Sequence, residues 1–283
     1  MSIEALRALI LASLFTLTST LVGAQNQTTE PPTDEPATAE EPETEGPDPE
    51  AIVLASAEFL AGLPAFGFDW FVSYDIVDEG REKLTFTRSG NNLMVRDQGF
   101  VSTSEEGFRL RMYYYDGATF TVSAPEENFY ASAPFDGGFE ALVTALRERS
   151  DTVLPLWSIM SERLPDRMTE GAEAAAYVGL TRIGGAVAHH VAFAGREEDW
   201  QIWIADDPEA PLPLYVVGTE SAEKGWPQYR AWLSNWDLAP ETTPEQFVFS
   251  PDEDDLPASL PDLAARPQGA GASDGGAGEE AQQ

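Results

Sequence analysis

From Phe66 to Ile76 the chain reads FGFDWFVSYDI, a run in which nearly every second residue is large and apolar. Successive side chains of an extended strand point to opposite faces. Phe66, Phe68, Trp70, Val72, Tyr74 and Ile76 therefore share one face, and Gly67, Asp69, Ser73 and Asp75 lie mostly on the other. Such a segment is stable only within a sheet that is packed on one side and wet on the other, the habit of antiparallel sheets. The same period recurs along the chain. REKLTFTRSGNNLMVRD reads as two short strands around a Gly-Asn-Asn turn, and FRLRMYYYDGATFTVSAP as a hairpin with a type I′ turn at Asp116-Gly117. In that hairpin Arg109 and Arg111 share one face, with Phe108, Leu110, Met112 and Tyr114 on the other. AAYVGLTRI, AVAHHVAFA, DWQIWIA, LPLYVVGT and YRAWLSNWDL supply further strands.

Helical spacing appears in three places. PEAIVLASAEFLAGL sets Ile52, Ala55, Phe59, Leu60 and Leu63 near one face and ends at Pro64. Phe139, Leu142, Val143 and Leu146 form an i, i+3, i+4, i+7 stripe, with Arg147 and Arg149 near the C-terminal end, where cations suit the helix dipole. LPLWSIMSERL begins with a proline in its first turn and offers Leu156, Trp157, Met160 and Leu164. The expected fold is α+β, one curved antiparallel sheet of about ten strands with helices packed on one side.

No cysteine occurs among the 283 residues, so a hydrophobic core, drawn from 42% hydrophobic residues, must hold the fold without disulfides. The ends differ from the middle. Met1–Ala24 has a short charged start with Glu4 and Arg7, an apolar run from Ala8 to Val22, and small residues at Val22-Gly23-Ala24, the pattern of a cleaved export signal. That run is shorter than the roughly 20 residues a spanning helix needs, so no transmembrane segment is expected in the mature chain. Residues 25–50, rich in proline and acid and without a base, cannot bury enough surface to offset chain entropy and are expected to be a disordered linker. A disordered tail is expected over 252–283, leaving 51–251 as the folded domain. The protein is expected in the periplasm or secreted. Its net charge of −33 repels phosphate backbones, which argues against a nucleic-acid partner.

The two histidines, His189 and His190, are adjacent in AVAHHVAFA. On a strand they point to opposite faces and cannot easily share a metal. Without cysteine or a third histidine the commonest zinc sites cannot be completed. Glu197, Glu198 and Asp199 follow in what reads as a turn, and Asp199 beside Trp200 is the one acid that stands out. There is no Gly-x-Ser-x-Gly elbow set between a strand and a helix, no phosphate-cradling glycine loop and no thiol nucleophile. The expectation is therefore no catalytic residue, no metal and no cofactor. A hydrolase built on His190 or Asp199 is the rival reading.

The run GGAVAHHVAFAGREEDWQIWIADDPEAPLPLYVV, followed by PQYRAWLSNWDL and FVFSP and preceded by YYYDGATFTVSAPEENFYA, resembles the bacterial family of predicted periplasmic proteins known as domain of unknown function 2092. The likeness covers most of Ala51 to Pro251. It departs at PLPLYVV, where Leu214-Tyr215 stand in place of a basic residue. The resemblance implies a fold similar to the lipoprotein carriers LolA and LolB, an open half-barrel whose concave face is covered by helices with an apolar cavity between. On that reading the protein shelters a lipid, an acyl chain or a lipoprotein, and Phe68, Trp70, Phe139, Leu142, Trp157 and Met160 are expected to line the cavity. The alternative is a structural or regulatory envelope protein acting through protein contacts, whose mark would be an exposed apolar patch.

Overall fold

In the computed structural model, which describes residues 46–78, 82–150, 152–168 and 171–263, the alternation at Phe66–Ile76 becomes the centre of a long strand. The expected signal, residues 25–45 of the linker and residues 264–283 of the tail lie outside the described residues. Helix α1 (Pro49–Gly62) comes first, then β1 (Ala65–Asp78), β2 (Glu82–Val95), β3 (Gly99–Glu106), β4 (Arg109–Tyr115), β5 (Thr119–Ala124) and β6 (Phe129–Pro134). Three helices intervene, α2 (Phe139–Arg149), α3 (Trp157–Met160) and α4 (Leu164–Met168). The chain then returns as β7 (Ala174–Ile183), β8 (Ala186–Ala194), β9 (Asp199–Ala205), β10 (Pro213–Thr219), β11 (Gln228–Asp237) and β12 (Leu256–Ala258).

Among the described residues these strands form one open sheet of twelve, in the order β12-β6-β5-β4-β3-β2-β1-β11-β10-β9-β8-β7. The two halves of the chain meet where β1 pairs with β11, Trp70 opposite Leu233, Val72 opposite Ala231 and Tyr74 opposite Tyr229. All pairings are antiparallel except that of β12 with β6. β12 falls in the segment expected to be a disordered tail, and Leu263 beyond it is buried at 1% exposure, so the folded part extends past Pro251. At the opposite edge β7 carries a register shift between Tyr177 and Gly179.

Two turn expectations are corrected. Gly90-Asn91-Asn92 is no turn, because β2 runs through it unbroken. A Cβ on Gly90 would stand 2.0 Å from the Thr103 carbonyl oxygen and 2.8 Å from the Trp70 ring, so glycine is there to let β3 and the indole approach. Asn92 is buried, and its Oδ1 accepts from Ser102 Oγ (2.6 Å) and Trp70 Nε1 (3.3 Å) while Nδ2 donates to the Pro155 carbonyl (3.0 Å). The β4–β5 connection is not type I′, which needs positive φ at both central residues. Only Gly117 has it (φ 87°), and Asp116 Oδ1 instead accepts from the amides of Ala118 (2.9 Å) and Thr119 (2.7 Å).

The Asp48 side chain caps α1 by accepting from the amides of Glu50 and Ala51, with Pro49 in the first turn. Its buried face is Val53, Ser56, Ala57 and Leu60, turned by about one residue from the expected stripe, so that Ala55 is exposed. Val53, Ala57 and Leu60 pack with Leu142, Leu146 and Met160 of α2 and α3 against Phe66, Phe68, Phe100, Phe120, Val191 and Ile202 of the sheet. Each such burial contributes about 1.5–3 kcal/mol. Arg96, just after β2, fastens helices to sheet. Its Nε donates to the Leu63 carbonyl (2.8 Å), Nη2 to that of Leu60 (3.0 Å) and Nη1 to that of Met160 (3.2 Å). One guanidinium thus satisfies carbonyls at the C-terminal ends of both α1 and α3.

Candidate functional site

Along the inner face of β1, burial gives way from Trp70 and Val72 to half-buried Tyr74 and then to Ile76, which is 44% exposed. Where the cover thins, a cavity of about 600 Å³ lies between the sheet and the segment 152–158. Its apolar wall is Trp70 and Val72 of β1, Val122 of β5, and Val153 and Leu156 of the segment above. Beyond Tyr74 the same strand face continues into Ile76, Leu84 and Phe86. Phe86 pairs with Tyr74 and Leu84 with Ile76, and both are exposed. The cavity therefore opens onto an apolar ledge.

Polar side chains ring the rest of the space. Arg88 of β2 stands opposite Val72. Through Nη2 it contacts Glu106 Oε2 (3.1 Å) and the Tyr74 hydroxyl (3.3 Å), with its guanidinium 5.1 Å from the centre of the Tyr74 ring. The Tyr74 hydroxyl in turn donates to Glu106. Arg111 of β4 is held by both oxygens of Glu127 at 2.7 and 2.8 Å. Burial raises the pKa of Tyr74, Tyr113 and Tyr229, so these phenols stay neutral donors. On the opposite wall, burial and the neighbouring charge of Glu223 raise Glu220, while Glu198 is 3% exposed.

Asp75 also reaches this space, but its charge is committed to the sheet. Burial pushes its pKa up, yet donors from Thr85 Oγ1 (2.8 Å), Arg230 (3.4 Å) and the Gln228 amide (3.1 Å) outweigh that and leave it lowered.

Of the six residues expected to line the cavity, Trp70 does so. Phe68, Leu142, Trp157 and Met160 are buried in the core, and Phe139 sits half-buried, edge-on to Phe100 at 5.5 Å. The reason is geometric. Helices α2 and α3 pack on the sheet there and fill the space, and the gap opens next to them, from Trp70 onward along β1. Arg88, Arg111, Tyr113 and Tyr229 carry no mark in the sequence that separates them from a wet face. Only the register of their strands brings them inward.

The histidines divide as strand geometry requires. His189 lies between Tyr177 and Asp206, each 3.1 Å away, and a neutral ring with its proton on Nε2 satisfies both. His190 belongs to the outer face, where it stacks on Trp203, Trp203 meets Tyr215, and Tyr215 stacks on Trp232. Phe71 is paired with Trp232 and completes this row across five strands. Burial pushes the Asp199 pKa up to about 6, and its buried Oδ1 has no hydrogen-bond partner. Among the described residues neither His190 nor Asp199 is hydrogen-bonded to a nucleophilic hydroxyl, and no cluster of His, Cys, Asp and Glu could hold a metal ion.

The sequence profile of a family described as predicted periplasmic protein (DUF2092) matches residues 50–259. The chain belongs to this family. Solved structures similar to this DUF2092 protein include LprF from Mycobacterium bovis, at 15% identity over 70% of this chain and 96% of that one with a TM-score of 0.43. The lipoprotein LppX from Mycobacterium tuberculosis is similar at 14% identity, 68% and 96% coverage and a TM-score of 0.33. The LolA superfamily protein NE2245 from Nitrosomonas europaea is similar at 9% identity, 71% and 97% coverage and a TM-score of 0.32. Among curated proteins none matches. The DUF2092 description is of a periplasmic protein, and no helix among the described residues is long and apolar enough to cross a membrane. Where a base was expected after Pro213, this DUF2092 chain has Tyr215, whose ring is spent on the outer aromatic row.

Proposed function

We propose that this DUF2092 protein is an envelope carrier that shelters one acyl chain of a lipid or lipoprotein in the cavity beside β1. The observation that carries this reading is the cavity itself, about 600 Å³ with Trp70, Val72, Val122, Val153 and Leu156 on its wall and an apolar ledge at its opening. That volume lies within the roughly 300–1,000 Å³ of small-ligand sites. It corresponds to roughly twenty water volumes, and a methylene occupies roughly one, which suits a single long chain better than two. The driving force is transfer of apolar area out of water, at about 25 cal/mol per Å² before ordering costs.

Native mass spectrometry with lipid extraction, on protein purified from its own envelope, tests the reading. A co-purifying acyl mass is expected, and Val122→Trp, which fills the cavity, should lose it while keeping the fold. A clean apo mass with no uptake of added lipid overturns the proposal.

A second reading, contact with a partner protein through the outer face, is favoured by Phe71 and Trp232, 46% and 39% exposed within the aromatic row. Trp232→Ser would then release a co-purifying protein and leave lipid uptake unchanged.

A further inference from the structure

Strands β1 and β2 outrun their neighbours. Among the described residues β1 is paired with β11 only as far as Tyr74, and β2 with β3 only from Ser89 onward, whereas β1 and β2 stay paired with each other out to Asp78 and Glu82. Residues 76–78 and 82–88 therefore stand out from the sheet as a two-stranded arm, and residues 82–88 are all exposed.

A two-stranded ribbon buries little by itself, so polar side chains are the expected covering. Instead Ile76, Leu84 and Phe86 lie exposed on one face, continuous with the cavity opening. On the other face, which carries Val77 and Lys83, the β10–β11 connection is laid against the arm. A Cβ on Gly225 would stand 3.0 Å from Val77 Cγ1, and Lys83 Nζ donates to the Trp226 carbonyl (2.9 Å). Trp226 has φ 50°, a left-handed setting that a bulky residue rarely takes, and it is 66% exposed. Backbone strain kept in order to present an indole to solvent points to a contact made by that ring. The chain has two lysines, and both are here, Lys83 through its hydrogen bond and Lys224 two residues before the ring.

A partner for this arm must receive apolar groups on opposite faces at once. A flat protein surface covers one face, whereas a lipid layer is fluid and closes around both. Tryptophan with lysine beside it also suits the head-group level of a bilayer, the indole among the upper methylenes and the ammonium on a phosphate. Asp78, Glu82 and Glu223 are exposed at the same end and would be repelled by an anionic surface. The mixed charge therefore matches head groups that carry both signs.

We propose that the arm is a membrane-docking wedge, on which the protein settles reversibly at a bilayer of zwitterionic phospholipid with Trp226, Leu84 and Ile76 in the head-group layer. The assignment stands on the surface of the molecule and does not require the carrier reading. Combined with that reading, docking sets the cavity opening on the bilayer, so that an acyl chain need not cross water.

Vesicles of phosphatidylcholine and phosphatidylethanolamine, one batch with brominated acyl chains, test this on protein purified from the envelope. Cosedimentation is expected, with quenching of tryptophan emission by the bromines. Of the seven tryptophans Trp226 alone should be quenched, so Trp226→Phe should abolish the quenching. Trp226→Ser should weaken partitioning roughly tenfold and Leu84→Ser several-fold. Leu180→Ser removes a leucine that is 57% exposed on β7, at the far border of the sheet, and should leave partitioning unchanged. All these side chains are exposed, so the melting temperature should hold in each variant. Added phosphatidylglycerol should weaken binding.

Quenching that survives Trp226→Phe, equal partitioning of Trp226→Ser and Leu180→Ser, or binding confined to vesicles with phosphatidylglycerol overturns the proposal. So does a dimer that Trp226→Ser dissolves in protein that ignores vesicles, which would give the arm to a second copy. No vesicle binding while an acyl chain still co-purifies removes the docking role alone. Vesicle binding by protein that takes up no lipid removes the carrier reading alone.

Discussion

The imidazole of His190 and the indole of Trp203 stack with centroids 4.0 Å apart and 13° between planes. Burial lowers the His190 pKa below 6.5, and a hydrogen bond to Gln201 Oε1 at 2.9 Å counters this only in part. With its folded pKa below the unfolded one, His190 disfavours the folded state as it protonates. Stability should therefore fall as pH drops through the range just below 6.5. Trp203→Ala opens the ring to water and should move the titration midpoint up toward 6.5, read from imidazole NMR shifts. An unmoved midpoint would mean that the indole is not what desolvates the ring.

Gly90→Ala should be among the most damaging single changes. Its Cβ would stand 2.0 Å from a backbone carbonyl oxygen, which no rotamer can relieve. A loss of about 3 kcal/mol or more is expected from urea unfolding. The exposed neighbour Asn91 gives the control, since Asn91→Ala should stay within about 0.5 kcal/mol.

Arg96→Met removes three hydrogen bonds to the Leu60, Leu63 and Met160 carbonyls. A cost of about 2–3 kcal/mol is expected, with the last turn of α1 losing amide-exchange protection before β1 does. Arg96→Lys should recover only part of this, because an ammonium lacks the planar fork. Uniform loss of protection across sheet and helices would contradict the clamp.

For Asp199, a folded pKa of about 6 stands above the ordinary 3.8. The folded state holds this proton longer than the unfolded state does, so the stability from this group is full below pH 3.8 and is lost as pH rises through about 6. Asp199→Asn should gain about 1 kcal/mol at pH 8, a value reduced for partial solvent access, and nothing at pH 3.5. Parallel stability curves for the two proteins across that range would refute the assignment.

Strands β1, β4, β5 and β7 to β11 were legible because large apolar residues mark alternate positions. β3, GFVSTSEE, and β6, FYASAP, were not, since small and hydroxyl-bearing residues occupy positions where a strand signal needs bulk. β12, centred on Pro257, reads locally as a breaker and becomes a strand only because β6 offers it an edge. The candidate site shows the same limit more sharply. Trp70 could be named from alternation alone, whereas Arg88 and Tyr229 face the cavity only by being register partners of Val72 and Tyr74. Register depends on pairing between distant segments, and one strand's sequence does not encode it.

The two outermost strands bear on how this protein keeps company with its own copies. An open sheet ends in backbone N–H and C=O groups that invite another molecule to zip on, the first step toward fibres. Here one border is the three-residue β12 with a proline at its middle, which has no N–H to offer, and the other is β7, kinked between Tyr177 and Gly179. Neither presents the straight, evenly spaced row that a neighbour would need. A sheet left open at both borders is thereby kept from growing.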